Sequence, residues 1–147
     1  MDKNYTKKEY TKYVSEKSPK SSLVKDTAMA FLVGGLICTI GQIILEIYTG
    51  MGLDKKASSS LVSVTMIFIG ALLTGLGLYS KIGKYAGAGS IVPITGFANS
   101  IVSPAMEFKT EGLILGLAAK MFTIAGPVIV YGTITSVIIG FLKFLFG

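Results

Sequence analysis

Between Tyr85 and Met106 the chain runs for 22 residues without an acidic or basic side chain, in the order YAGAGSIVPITGFANSIVSPAM. A helix rises ~1.5 Å per residue, so about 20 apolar residues match a ~30 Å hydrocarbon layer. The run is long enough to cross a bilayer, yet too interrupted to do so as a plain helix. It holds three glycines, two prolines, three serines, Thr95 and Asn99. Irregular backbone persists at membrane depth only against protein or a watery cavity. A run of this kind therefore requires helices around it.

The rest of the chain supplies them. Only 15% of the 147 residues are charged, against about a quarter in an ordinary soluble domain. Seven of the 14 lysines fall in the first 25 residues. Beyond Thr27 the charges are confined to Glu46, Asp54, Lys55, Lys56, Lys81, Lys84, Glu107, Lys109, Glu111, Lys120 and Lys143. The uncharged stretches between them read as membrane segments. The expected fold is all-α: a polytopic membrane helical bundle of about four segments, the third broken by Gly and Pro and either crossing or re-entrant. Two regions follow, a basic cytoplasmic or interfacial tail over residues 1–26 and a transmembrane helical domain over residues 27–147. A secretory signal peptide is not expected, because the charged leading region is too long and no small-residue cleavage site follows the first apolar run.

A net charge of +6 would suit nucleic acid in a soluble protein. Beside membrane segments, lysines instead set topology and touch anionic headgroups. In the tail, Tyr10, Tyr13 and Val14 share a face at helical spacing, which fits a short helix on the headgroups, ended by Ser18-Pro19. Span 1 is expected from about Thr27, capped by Asp26-Thr27, to Tyr48. Gly35, Cys38, Thr39, Gln42 and Glu46 form one small and polar stripe along it, which reads as pointing into a bundle. Span 2 is expected from about Ser58 to Ser80, with Ser63, Gly70, Thr74 and Gly77 as its close-packing face. In the broken run, Ser90 can cap a half-helix of ~18 Å from Ile91 to Val102, with Pro93 in its first turn. Ser103-Pro104 then reads as a restart. Segment 4, from about Gly112 to Phe146, carries Lys120, Pro127 and the spaced set Gly132, Ser136 and Gly140. Lysine placement favours four crossings with Lys143 inside; a re-entrant third segment would put the C-terminus on the other side.

Little here supports catalysis. The chain has no histidine and one cysteine, Cys38. No nucleophile–base pair, metal-ligand spacing or phosphate loop occurs, so no metal site and no cofactor are expected. The remaining polar groups suit passage of a solute. Gln42, Glu46, Ser90, Thr95, Asn99, Ser103 and Lys120 are candidates to line a path or meet a ligand. Each has a plainer alternative. Glu46 and Lys120 can reach an interface, and Thr95 and Asn99 can satisfy broken backbone. A half-helix N-terminus carries unpaired N–H groups and partial positive charge, so the broken run reads as an anion-tolerant constriction served by lysines.

The stretches GLGLYSKIGKYAGAGS and GAGSIVPITGFANSIVSPAMEFKTEG, with LVGGLICTIGQ in span 1 and SPKSSLVKDTAMAFLVGGLIC leading into it, resemble the stage V sporulation protein AC family of endospore-forming bacteria. The likeness covers most of the chain and is stronger than to the related AE subunit. It implies a membrane subunit of a channel that moves dipicolinic acid, with calcium, across the inner spore membrane in sporulation and germination. It further implies a hetero-oligomer with an AE-type membrane subunit and a dipicolinate-binding AD-type protein, in the forespore or spore inner membrane. The residues themselves leave two alternatives open, a small proton-coupled secondary transporter and a non-conducting scaffold subunit.

Overall fold

A computed structural model describes residues 6–17 and 22–146; the helix stop expected at Ser18-Pro19 lies outside them. The described residues are almost wholly helical. Helix α1 spans Lys7–Lys17, α2 Leu23–Gly50, α3 Lys55–Gly75, α4 Tyr79–Ala86, α5 Ala88–Ile91 and α6 Ile94–Glu107. A 3₁₀ turn and a wide π turn then lead into α7, Ala119–Phe146. Among the described residues, three helical stretches are long and apolar enough to cross a membrane: Leu23–Gly50, Lys55–Gly75 and Leu113–Phe146.

Both α2 and α3 begin earlier than their hydrophobic runs suggest. Asp26 lies in the first turn of α2, one turn inside, rather than at its cap. Asp54 caps α3, accepting from the backbone N–H groups of Lys56 at 3.2 Å and Ala57 at 3.4 Å. That cap extends the helix by three residues ahead of Ser58. The two helices end on the same device. Leu78 N–H returns to Leu73 O and Gly77 N–H to Thr74 O, both at 2.9 Å, with Gly77 at φ 69°. Leu53, Gly52, Tyr48 and Thr49 repeat the pattern, with Gly52 at φ 87°. This is the Schellman arrangement, in which a left-handed residue satisfies the last carbonyls. Gly77 is therefore a helix stop, beyond the packing face on which its spacing placed it, and α3 ends at Gly75 instead of Ser80.

Helices α2 and α3 are antiparallel neighbours, tied by Tyr48 Oη and Thr65 Oγ1 at 2.8 Å. Helix α6 runs in the same direction as α3. Gly70 meets Thr95, and four residues on Thr74 meets Asn99. A constant offset over one turn requires parallel helices. A crossing segment placed directly after α3 would run antiparallel to it, so the favoured four-crossing topology does not hold. The chain leaves α3, turns back through α4 and α5, and comes out along α6, toward the end from which it came. At 14 residues, or ~21 Å, α6 is shorter than the hydrocarbon layer. Segment 3 is the re-entrant alternative, and the C-terminus falls on the side opposite the start of α2.

Two details of that hairpin also differ from expectation. Pro93, at φ −63° and ψ 159°, occupies the cap position of α6, because its missing N–H and extended backbone break the helix there. Ser90 lies before the break in α5 and makes no cap bond. Pro104 sits inside the last turn of α6, where its missing N–H forfeits one hydrogen bond only, so the helix continues to Glu107 without a restart.

Candidate functional site: a polar seam between α3, α4 and α6

The most extensive helix contact in the fold is between α3 and α6. A Cβ added at Gly70 would stand 2.8 Å from Thr95 O and 2.9 Å from Thr95 Cα. On the other side of the hairpin, α5 presses on α2. A Cβ at Gly89 would overlap the carbonyl of Ala30, and one at Gly34 would lie 3.2 Å from Gly89 O. Small residues permit such backbone approach, which gives dispersion contact where lipid offers no hydrophobic drive.

That proximity buries polar groups and obliges them to pair. Tyr79 (4% exposed), Ser90 (1%) and Thr95 (4%) meet at one point. Tyr79 Oη lies 2.7 Å from Ser90 O and 2.9 Å from Thr95 Oγ1. The carbonyl can only accept, so the tyrosine donates to it. Ser90 Oγ donates to Gly87 O at 3.0 Å. One turn along, Thr74 Oγ1 donates to Gly70 O at 2.7 Å and lies 3.0 Å from Asn99 Oδ1. Among the described residues no buried side-chain oxygen or nitrogen lacks a partner. Every member of this network is neutral.

Two adjoining grooves open from the network. One, about 350 Å³, is lined by Thr74, Gly77, Ser80, Asn99, Ser103, Met106 and Glu107. The other, about 240 Å³, is lined by Tyr79, Ser80, Gly83, Ser90, Ile91, Gly96 and Asn99. They share Ser80 and Asn99, so the half-buried Asn99 stands at their junction. The first falls in the ~300–1,000 Å³ range of small-molecule sites.

The structure thus brings Asn99 and Ser103 to one surface with Thr74 and Gly77, and sets the buried Ser90 and Thr95 behind it. Ser80, Tyr79 and Glu107 join them without having been singled out. Tyr79 carries little sequence signal beyond its place after the Gly77 stop. Glu107 reads as a loop charge until α6 is known to continue to it. Among the described residues no lysine lines either groove. The N-terminus of α6 is closed as well, since a Cβ at Gly96 would overlap the carbonyls of Ser90 and Ile91.

The other candidates lie elsewhere. Gln42 Nε2 donates to Glu46 Oε1 at 3.2 Å on an exposed face of α2. Gly35, Cys38, Thr39, Gln42 and Glu46 are all exposed, while Val33, Gly34, Ile37, Gly41, Ile44 and Tyr48 turn inward. Hence the stripe points out of this chain's own bundle. Lys120 Nζ sits 4.5 Å from the Phe108 ring centroid at the α6–α7 turn, a cation–π contact. Gly132, Ser136 and Gly140 lie on the part of α7 from Pro127 to Phe146, where every residue is exposed. Ser136 Oγ bonds back to Gly132 O at 2.8 Å.

These features define an integral membrane protein: three apolar helices, a glycine-packed re-entrant hairpin and a neutral polar seam. A family model described as SpoVAC/SpoVAEB sporulation membrane protein matches residues 26–142, and the chain belongs to that family. It is 48% identical over 141 residues to "Stage V sporulation protein AC" of Bacillus subtilis (strain 168), covering 95% of this chain and 94% of that one. No solved structure matches.

Proposed function

We propose that the chain is a membrane subunit of the channel that passes dipicolinic acid, with calcium, across the inner membrane of the spore. The observation that carries the reading is the seam at Asn99, where two grooves meet beside a hydrogen-bond network whose buried side-chain atoms are all paired among the described residues. Family membership and the likeness to stage V sporulation protein AC support the sporulation context. Neutral donors and acceptors on Thr74, Ser80, Asn99 and Ser103 offer a carboxylate-bearing solute weak, exchangeable partners. Glu107 at the far end of the larger groove favours a cation travelling with that solute over a bare anion. An AE-type membrane subunit and an AD-type dipicolinate-binding protein complete the assembly in this reading.

A second reading, a subunit that scaffolds a path formed between chains, draws on the polar stripe of α2. Gln42 and Glu46 face outward from a membrane helix, where lipid would be a costly neighbour. Asn99→Leu separates the two. It blocks the groove junction and should lower dipicolinate content in spores at matched protein abundance. Normal content would move the path to the α2 stripe.

A further inference from the structure

A separate crevice lies between α2, α3 and α4, on the other side of Tyr79 from the polar grooves. Its lining includes Val33, Ile37 and Ile40 of α2, Met66 and Leu73 of α3, and Ile82 of α4. Its volume is about 180 Å³ and it exposes no polar surface. No side chain of the described residues fills it. Apolar cavities of ~150 Å³ stay dry and take up small apolar molecules. This one is flanked by two helices of membrane-spanning length, with Leu36 (63% exposed) and Ile40 (48%) on its rim. Its opening therefore faces hydrocarbon.

We propose that the crevice holds the distal half of one acyl chain of an anionic phospholipid. The headgroup assignment comes from α4. Tyr79, Ile82, Gly83 and Ala86 of that helix turn inward, while Lys81, Lys84 and Tyr85 are exposed. Lys81 and Lys84 thus lie in sequence on either side of Ile82, itself a wall of the crevice, and are exposed to meet a phosphate. Lys25 of α2 lies on the same side, eight residues or ~12 Å before Val33. From there to Ile40 is ~22 Å along the helix, about the reach of an extended acyl chain. The lysines at the other end, Lys55 and Lys56, begin ten or more residues before Met66 and share their turn with Asp54. Charge and reach both favour the α4 end.

The test uses the full chain in mixed phosphatidylcholine–phosphatidylglycerol vesicles with a trace of lipid bearing a mid-chain diazirine. With the phosphatidylglycerol probe, adducts should concentrate several-fold on Val33–Ile40 and Met66–Leu73 over Val128–Ile139, where every residue is exposed. Leu36→Trp covers the crevice from its exposed rim and should abolish the excess. Lys81→Gln with Lys84→Gln leaves the walls intact and should remove the preference for the phosphatidylglycerol probe over its phosphatidylcholine counterpart. Even labelling of α7 and the crevice, or an unchanged pattern in Leu36→Trp, overturns the site. Equal labelling of the parent by both probes overturns the anionic headgroup. An unlabelled crevice with efficient Leu36→Cys cross-linking between chains assigns it to a second copy instead.

Discussion

Gly70 and Gly35 sit on neighbouring helices of the same bundle, and a side chain added at each would meet opposite surroundings. At Gly70 it would run into the backbone of Thr95; at Gly35 nothing lies within 4 Å. The α3–α6 seam is built for contact within one chain, down to paired hydroxyls and carbonyls. The α2 stripe is as small and polar by composition, yet it is left uncovered. Composition says that a membrane helix face wants protein beside it. It does not say whether that protein is the same molecule.

The largest effect should come from forcing the seam apart. Gly70→Leu places a branched side chain against backbone that cannot move without separating the helices. Overpacking of this kind typically costs about 1–3 kcal/mol, and more where the neighbour is main chain. We expect loss of folded protein in detergent, read by thermal melting. Gly35→Leu should melt like the parent but fail to co-purify with the proposed partner subunits, whereas Leu32→Ala should melt like the parent and still co-purify. A Gly35→Leu chain that unfolds alone would erase the distinction between the two surfaces.

Tyr79→Phe tests whether the seam's hydrogen bonds matter as well as its packing. It leaves Ser90 O and Thr95 Oγ1 without their shared partner. A buried polar group so orphaned costs about 1–3 kcal/mol. A melting point unchanged from the parent would mean that packing alone holds the seam. Single cysteines in a Cys38→Ala background refine the picture without destabilising it much. Asn99→Cys and Ser103→Cys, on the groove walls, should react with aqueous thiol reagents. Ser90→Cys and Thr95→Cys should not, because those positions are 1% and 4% exposed. Uniform reactivity at all four would show the seam to be open to water throughout.

Lys120 gives a smaller expected change. Its ammonium already has the Phe108 ring; both residues are half-buried, and such a contact is worth about 0.5–2 kcal/mol. Lys120→Gln should lower the melting point by that margin and leave dipicolinate release from liposomes close to the parent's. A large drop in release at matched abundance would return Lys120 to the solute path.

The sequence made the helical membrane class plain because charge spacing and hydropathy depend on every residue in a run. It also marked the broken segment, and Ser90, Thr95, Asn99 and Ser103 within it. It missed what depends on a single hydrogen bond or one backbone angle. Asp54 looked like loop until its carboxylate was seen on two N–H groups, and Gly77 fits a small-residue face until its φ turns positive. The direction of α6 was equally hidden, since a short apolar helix reads alike whether it crosses or returns. The outward turn of the α2 stripe could not be read from periodicity, which gives a face and not its neighbour.

The smallest predicted effect lies outside the bilayer and contrasts with the seam in chemistry. The seam's bonds join neutral groups, so mild acid should leave them alone. Helix α1 starts on a charge. Thr6 N–H and Thr6 Oγ1 both donate to Glu9 Oε2, at 3.0 and 2.7 Å, which supplies the glutamate half of a capping box at the first turn. The Thr6 backbone N–H first, and its hydroxyl second, hold the Glu9 carboxyl below its ordinary value of 4.5. A depressed carboxylate adds stability that is present above the unfolded value and disappears as pH falls through the folded one. Helicity at Lys7–Tyr10 should therefore be constant at neutral pH and decline below about 4.5. Cα chemical shifts across that turn, in micelles, would follow it. The Glu9→Gln chain should show a flat, lower helicity over the same range. A parent turn that stays equally helical after Glu9 is protonated would mean that the headgroup surface, and not the cap, holds α1.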